Sequence, residues 1–268
     1  MLSTDLEARL AVAAAIARDA AALALRHFAD IGTLAVSMKG PQDWLTEADG
    51  AVERLIVSRL ATAFPADRVL GEEGGGSVVA DRLWVIDPID GTANFARGLP
   101  HFSIAIAFVV DGITQLAVVH EPVAGHLYLG RRGHGATRNG QRIAVSRTCD
   151  PRRAFLDIGY SSRVPYADYT DVTRRLLEAG IYVRQGGSGV LGLAQVADGR
   201  IDAFFERFLK PWDALAGLLL IEEAGGRVND FIAGGKGIAD GNVALGCTPA
   251  LWEPLAALTA LEPPPAIA

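Results

Sequence analysis

Apolar positions in the first part of the chain recur at intervals of three and four. Leu6, Leu10, Ala13, Ala17, Ala21, Ala24 and Phe28 fall on one face at helical spacing, which predicts a long amphipathic helix. A second helix is predicted over residues 48–64, with Val52, Leu55, Ile56 and Leu60 inward, a capped start at Thr46 and Asp49, and Pro65 beyond its end. The period then changes. Residues 83–86, 103–110, 113–119 and 126–129 read as strands. Asp111-Gly112 and Asn139-Gly140 are hairpin signals, because both central residues of a type I′ turn need positive φ. This middle portion is expected to be an antiparallel meander. From residue 154 onward, short apolar runs at 154–158, 181–184, 201–205 and 243–245 alternate with helical patterns at 168–179, 188–197, 212–224 and 251–258. Such βα alternation predicts a sheet covered by helices. The change of pattern puts a seam near residue 150. It divides a region of residues 1–150 from a region of residues 151–268, and the proline-rich end (Pro263, Pro264 and Pro265) is expected to be loose.

Composition narrows the class. Half of the 268 residues are hydrophobic and 21% are charged, as in ordinary globular proteins. A formal net charge of −6 argues against nucleic acid as a partner, which calls for a basic face or tail. The Ala-rich run over residues 10–25 is interrupted by Arg18 and Asp19. It falls short of the roughly 20 apolar residues that span a bilayer, so no membrane association is expected. Two cysteines, Cys149 and Cys247, cannot make a disulfide framework. With no basic, apolar leader at the start, the expected location is the cytoplasm.

The chemistry concentrates in acidic segments that follow apolar runs. In Asp87-Pro88-Ile89-Asp90-Gly91-Thr92 two carboxylates stand three residues apart, read here as lying across a turn entered from a strand. Pro88 stiffens that turn and Gly91 permits close backbone approach. Thr92 can open a helix whose free N–H groups suit a phosphate. Two carboxylates converging in a dry pocket repel each other, and a hard divalent cation with oxygen ligands removes that repulsion. Glu72 and Glu73 stand where an apolar residue, Leu70, gives way to glycines. Asp213 precedes a very apolar helix, where it reads as an N-cap with an oxygen to spare for a metal. Taken alone, each segment also reads as a turn, a surface loop or a helix cap.

In combination they resemble the inositol monophosphatase family. The matching motifs run in order: Asp43 with Asp49 six positions on, Gly71-Glu72-Glu73, Asp87 to Thr92, and Trp212-Asp213 with Gly217 four positions on. The resemblance covers about residues 39–246. It implies an α/β layered (αβαβα) sugar-phosphatase fold, a homodimer and Mg²⁺ as cofactor. Glu72, Asp87 and the Ile89 carbonyl would hold one ion, and Asp87, Asp90 and Asp213 a second. Thr92 and Asp49 would pair and, with Glu72, activate the attacking water, while the amides of Gly91 and Thr92 bind phosphate and Glu73 supports the site. Lys39 aligns only approximately with a family lysine.

The implied reaction is hydrolysis of a small phosphate monoester. Glu206, seven residues before Asp213, matches a glutamate that contacts an inositol hydroxyl, and Gly187, Ser188 and Gly189 match the segment beside the substrate ring. Arg97 and His101 follow the metal loop and are candidates to reach the pocket. His101 has no second histidine at ligand spacing, so it reads as a packing or surface residue. Inositol monophosphate or a related polyol phosphate is the expected substrate. Histidinol phosphate is the alternative, opened by departures at Glu47 and Lys210-Pro211. Some family members bind a transcription or ribosome-assembly partner, a reading of another class.

Overall fold

The computed structural model describes residues 3–33, 36–40, 43–76, 80–232 and 237–261. The proline-rich end and the side chains of Lys39 and Asp43 lie outside the described residues.

The first half builds one large sheet. Helix α1 (Ser3–Ala29) is followed by the hairpin β1 (Val36–Gly40) and β2 (Asp43–Thr46), then α2 (Glu47–Ala63). Strands β3 (Arg68–Gly71), β4 (Gly75–Gly76), β5 (Arg82–Asp90), β6 (Ser103–Val110), β7 (Ile113–Glu121), β8 (His126–Arg131), β9 (Gly135–Arg138) and β10 (Gln141–Arg142) form eight strands in the order β10-β9-β8-β7-β6-β5-β3-β4. The sheet is antiparallel as expected, except that β3 runs parallel to β5. Asp111 (φ 50°) with Gly112 (φ 75°) turns β6 into β7, and Asn139 (φ 50°) with Gly140 (φ 78°) turns β9 into β10. A one-turn helix, α3 (Thr92–Ala96), links β5 to β6.

The second half adds β11 (Phe155–Ile158), α4 (Tyr166–Glu178), β12 (Tyr182–Arg184), α5 (Gly189–Ala197), β13 (Ala203–Leu209), α6 (Pro211–Glu223), β14 (Arg227–Val228), β15 (Asn242–Cys247) and α7 (Trp252–Leu258). Its five-stranded sheet has the order β12-β11-β13-β15-β14, parallel around β11 and antiparallel around β15.

Period-two alternation sorts the core into layers. On β5 and β6, Trp84, Ile86, Ile104, Ile106 and Phe108 pack with α1 and α2. Leu83, Val85, Ala105, Ala107 and Val109 pack on the other face with α5 and α6. The far side of the small sheet (Leu156, Ile158, Phe205 and Leu245) packs with α4 and α7. The order is therefore helices, large sheet, helices, small sheet, helices. The inward residues predicted on α2 agree: Val52, Ile56 and Leu60 are buried, and Leu55 is partly so.

Two local expectations need correction. Asp87 and Asp90 do not flank a turn. Strand β5 continues through Pro88 to Asp90, and the register against β6 shifts between the two aspartates. An irregularity of this kind absorbs the missing proline N–H and re-aims side chains without ending the strand. Asp213 is not the N-cap of α6. The helix starts at Pro211, and Asp213 is its third residue.

Candidate active site

Three acidic side chains of the site, Asp49, Asp90 and Asp213, are held by backbone amides. Asp49 and Asp213 use the same arrangement. Each stands third in its helix and accepts from the amide just before it: Asp49 from Thr46 N at 2.8 Å, Asp213 from Lys210 N at 3.2 Å. The reach-back spends one oxygen and leaves the other for the interior. Asp49 Oδ1 accepts from the Thr92 hydroxyl at 3.1 Å, and the same hydroxyl lies 2.9 Å from the Ile89 carbonyl oxygen. Asp90 ends β5 against the N-terminus of α5. It accepts from Ser103 Oγ at 3.1 Å, Gly189 N at 3.1 Å, Val190 N at 3.1 Å and the Ser188 hydroxyl. Ser188 and Gly189, expected beside the substrate ring, thus hold Asp90. Gly91 takes φ 89°, and a Cβ there would come to 3.1–3.2 Å from His101 O, Gly187 O and the Ser188 side chain. Glycine is required both for the turn and for the close approach of the second half.

One oxygen each from Asp87, Asp90 and Asp213 lies within 4.8 Å of the others. Glu72 lines the same cavity of about 580 Å³ as Asp90 and Asp213. Burial, then the charges of Glu72, Asp90 and Asp213, hold the Asp87 carboxyl well above its usual range. Asp90 is pushed up to about 7 by burial and Asp213, against the pull of its hydrogen bonds. Asp213 is pushed up to about 6, again chiefly by burial. Both oxygens of Asp87 are buried and accept no hydrogen bond from a described residue. Buried carboxylate oxygens without donors are costly unless a cation faces them. Hard oxygen donors of this kind fit Mg²⁺ and neither thiolate- nor imidazole-seeking metals.

Gly187, Ser188, Gly189 and Glu206 line the other part of the same cavity. Glu206 is buried on β13, and burial with the charges of Asp213 and Asp90 raises its pKa well above the usual range. A Cβ on Gly159 would come to 1.8 Å from Glu206 Oε2, so glycine is what lets that carboxyl lie there.

The family model for the inositol monophosphatase family matches residues 5–261. The chain belongs to that family. It is 38% identical to the Nus factor SuhB of Pseudomonas aeruginosa, across 96% of this chain and 98% of that one. It is 40% identical to the inositol-1-monophosphatase of Rhizobium meliloti, across 82% and 85%. Among solved structures it is similar to the IMPase of Thermotoga maritima (TM-score 0.84, 34% identity, 94% and 96% covered). It is also similar to the suhB protein of Bartonella henselae (TM-score 0.88, 29% identity, 96% and 100% covered). The family is magnesium-dependent, its members support a phosphatase activity for this chain, and the acidic triad suits that ion.

Several residues that tie together the segments around the cavity carry no motif. Asn94 donates to His101 O at 2.8 Å and Gly186 O at 3.0 Å, which ties the α3 turn to the loop before α5. Asp157 holds Gly186 N at 2.9 Å and pairs with Arg184 at 3.0 Å. Glu53 holds the amides of Glu73 and Gly74. Glu53 stands one helical turn after Asp49 on α2. Arg97, a candidate to reach the pocket, stacks on Trp44, at 5.1 Å from the ring centroid. His101 is half-buried, and burial lowers its pKa. No helix among the described residues is long and apolar enough to cross a membrane.

Proposed function

We propose that this chain hydrolyses a small polyol phosphate such as inositol monophosphate. The observation that carries the proposal is the shared cavity: Glu72, Asp90 and Asp213 of the acidic cluster and Glu206 line one space of about 580 Å³. On this reading Glu72, Asp87, Asp90, Asp213 and the Ile89 carbonyl hold Mg²⁺, and the Gly91 and Thr92 amides receive the phosphoryl oxygens. Bound Mg²⁺ supplies Lewis-acid charge neutralisation to the phosphoryl group and its leaving oxygen. The protein orients the rest. Thr92 donates its proton toward Asp49 and Ile89, so its lone pairs are free to accept from a water aimed at phosphorus. Glu206, a buried carboxyl on the wall of the same cavity, offers oxygens to the hydroxyls of a polyol. Phosphate release from a panel of inositol 1-phosphate, histidinol phosphate, fructose 1,6-bisphosphate and a nucleotide 3′-phosphate tests it. The expected outcome is a kcat/KM for the polyol ester at least about tenfold above the rest. Preference for histidinol phosphate would overturn it.

The similarity to proteins named Nus factor supports a second reading, a regulatory role through a partner. In a deletion strain, rescue of growth by the Asp90→Asn variant as well as by the parent favours that role. Rescue by the parent alone puts the function in catalysis.

A further inference from the structure

Glu53 lies on α2 four residues after Asp49 and is 6% exposed. A buried carboxylate needs donors, and its donors are unusual. Oε2 accepts from Glu73 N at 2.9 Å and Oε1 from Gly74 N at 2.5 Å. Both amides belong to the tight connection between β3 and β4, and Glu72 is the residue immediately before them. The glycines on either side of that segment complete the seat. A Cβ on Gly71 would come to 2.6 Å from Glu53 Oε2, and one on Gly74 to 2.7 Å from Oε1. Neither glycine has a positive φ, so it is the carboxylate, and not the backbone conformation, that an added side chain would meet there. Strand β4 is only two residues long and pairs with β3 alone in the sheet, so its ladder gives the connection little rigidity.

We infer that Glu53 is a positioning residue that sets Glu72 for cation binding, by clamping the backbone directly after it. Helix α2 then serves the site twice, one turn apart. Asp49 fixes Thr92, and Glu53 fixes the loop that carries Glu72. The inference rests on the reading of Glu72 as a cation ligand. It adds that the ligand's place is decided by a carboxylate that does not itself line the cavity.

Calorimetric titration of Mg²⁺ into metal-free protein, with melting temperature as the control for folding, tests the clamp. Glu53→Ala is expected to weaken Mg²⁺ binding about 10–100-fold, as loss of a group that supports a metal ligand does. KM for the ester at saturating Mg²⁺ should stay within about threefold of the parent. Glu53→Gln offers one carbonyl oxygen to two amides and should lose less; it serves should the alanine variant not fold. Gly74→Ala should weaken Mg²⁺ binding in the parent and add nothing in the Glu53→Ala background, because the atom it meets is gone. Glu72→Gln separates the two layers of the argument. Weaker binding in Glu72→Gln with parental binding in folded Glu53 variants overturns the clamp alone. Parental binding in Glu72→Gln overturns the reading of Glu72, and the clamp with it. Fully additive losses for Glu53→Ala and Gly74→Ala overturn the clamp as well.

Discussion

Thr92 has one hydroxyl proton and two acceptors in reach, Asp49 Oδ1 and the Ile89 carbonyl. Both acceptors lie on the protein side of the hydroxyl, so whichever is used, the lone pairs are presented to the cavity that Thr92 lines. Asp49 is buried and its pKa is raised by that burial, but three hydrogen bonds from Thr46 and Thr92 pull it back toward the charged form. The pair is thus a fixed acceptor with a proton directed inward. Thr92→Val keeps the shape and removes the hydroxyl, so it isolates this function. A kcat lower by about 10²-fold is expected, the scale of one positioned proton-handling group. Thr92→Ser should keep most of the rate. Steady-state phosphate release at saturating Mg²⁺ measures both, and a Thr92→Val enzyme within about threefold of the parent would remove Thr92 from the mechanism.

Helices α5 and α6 form the middle layer and bring Asp90 and Asp213 together. Ser188 opens α5 at Asp90, and α6 carries Asp213 in its first turn. Their approach depends on Gly217, where a Cβ would lie 2.4 Å from Leu193 Cβ. Backbone-proximal atoms cannot swing aside, so Gly217→Ala must push the helices apart. Overpacking of this sort costs about 1–3 kcal/mol. The expected result is a lower denaturant midpoint at unchanged m-value, measured by equilibrium unfolding; an unchanged midpoint would mean that the layer yields freely. The elements differ in how far the chain alone revealed them. The faces of α1 and α2 are legible because period and burial coincide, down to Val52, Ile56 and Leu60. The Asp111-Gly112 and Asn139-Gly140 hairpins are legible because turn geometry itself demands those residues. The end of β5 is not, because Asp-Pro-x-Asp-Gly has turn composition and only the pairing of Asp90 with Ser103 on β6 keeps it a strand. Asp213 as a carboxylate near a helix start is legible, but N-cap and third position share the same residue preference, and Pro211 decides between them. Glu53 is hidden for a different reason: a glutamate on an amphipathic helix reads as solvated, and its burial comes from a loop twenty residues later.

At the scale of the whole molecule, the acidic nest is where the large sheet and the middle helices meet. Asp87 and Asp90 come from the large sheet, Asp213 from the middle helices, and the donors to Asp90 from both halves of the chain. Folding therefore concentrates negative charge in a protein already at −6. In the absence of a cation the nest answers by holding protons, with Asp90 at about 7 and Asp213 at about 6 against an ordinary value of 3.8. An acid whose folded pKa lies above its unfolded value binds more protons in the native state, so stability falls as pH rises between the two. For these aspartates that window runs from about pH 4 to about pH 7. His120 works in the opposite direction: burial and Arg18 lower it to about 4, so it costs stability as pH falls below its usual 6.5. The two effects separate because only the nest exchanges protons for Mg²⁺. A ligand that binds the native state alone stabilises it by about 2.7 kcal/mol at a hundred times its Kd, and protons on the ligating oxygens raise that Kd. The rise in melting temperature on adding Mg²⁺ is therefore expected to be larger at pH 7.5 than at pH 5.5. His120 contributes equally with and without the ion and cancels from the difference. The Asp90→Asn variant, lacking one charge, should show a smaller Mg²⁺ shift with a flatter pH dependence. Scanning calorimetry of parent and variant in EDTA and in excess Mg²⁺ at the two pH values measures all of this, and a Mg²⁺ shift that is equal at both, or larger at the lower pH, would show that the carboxylates do not titrate as one nest.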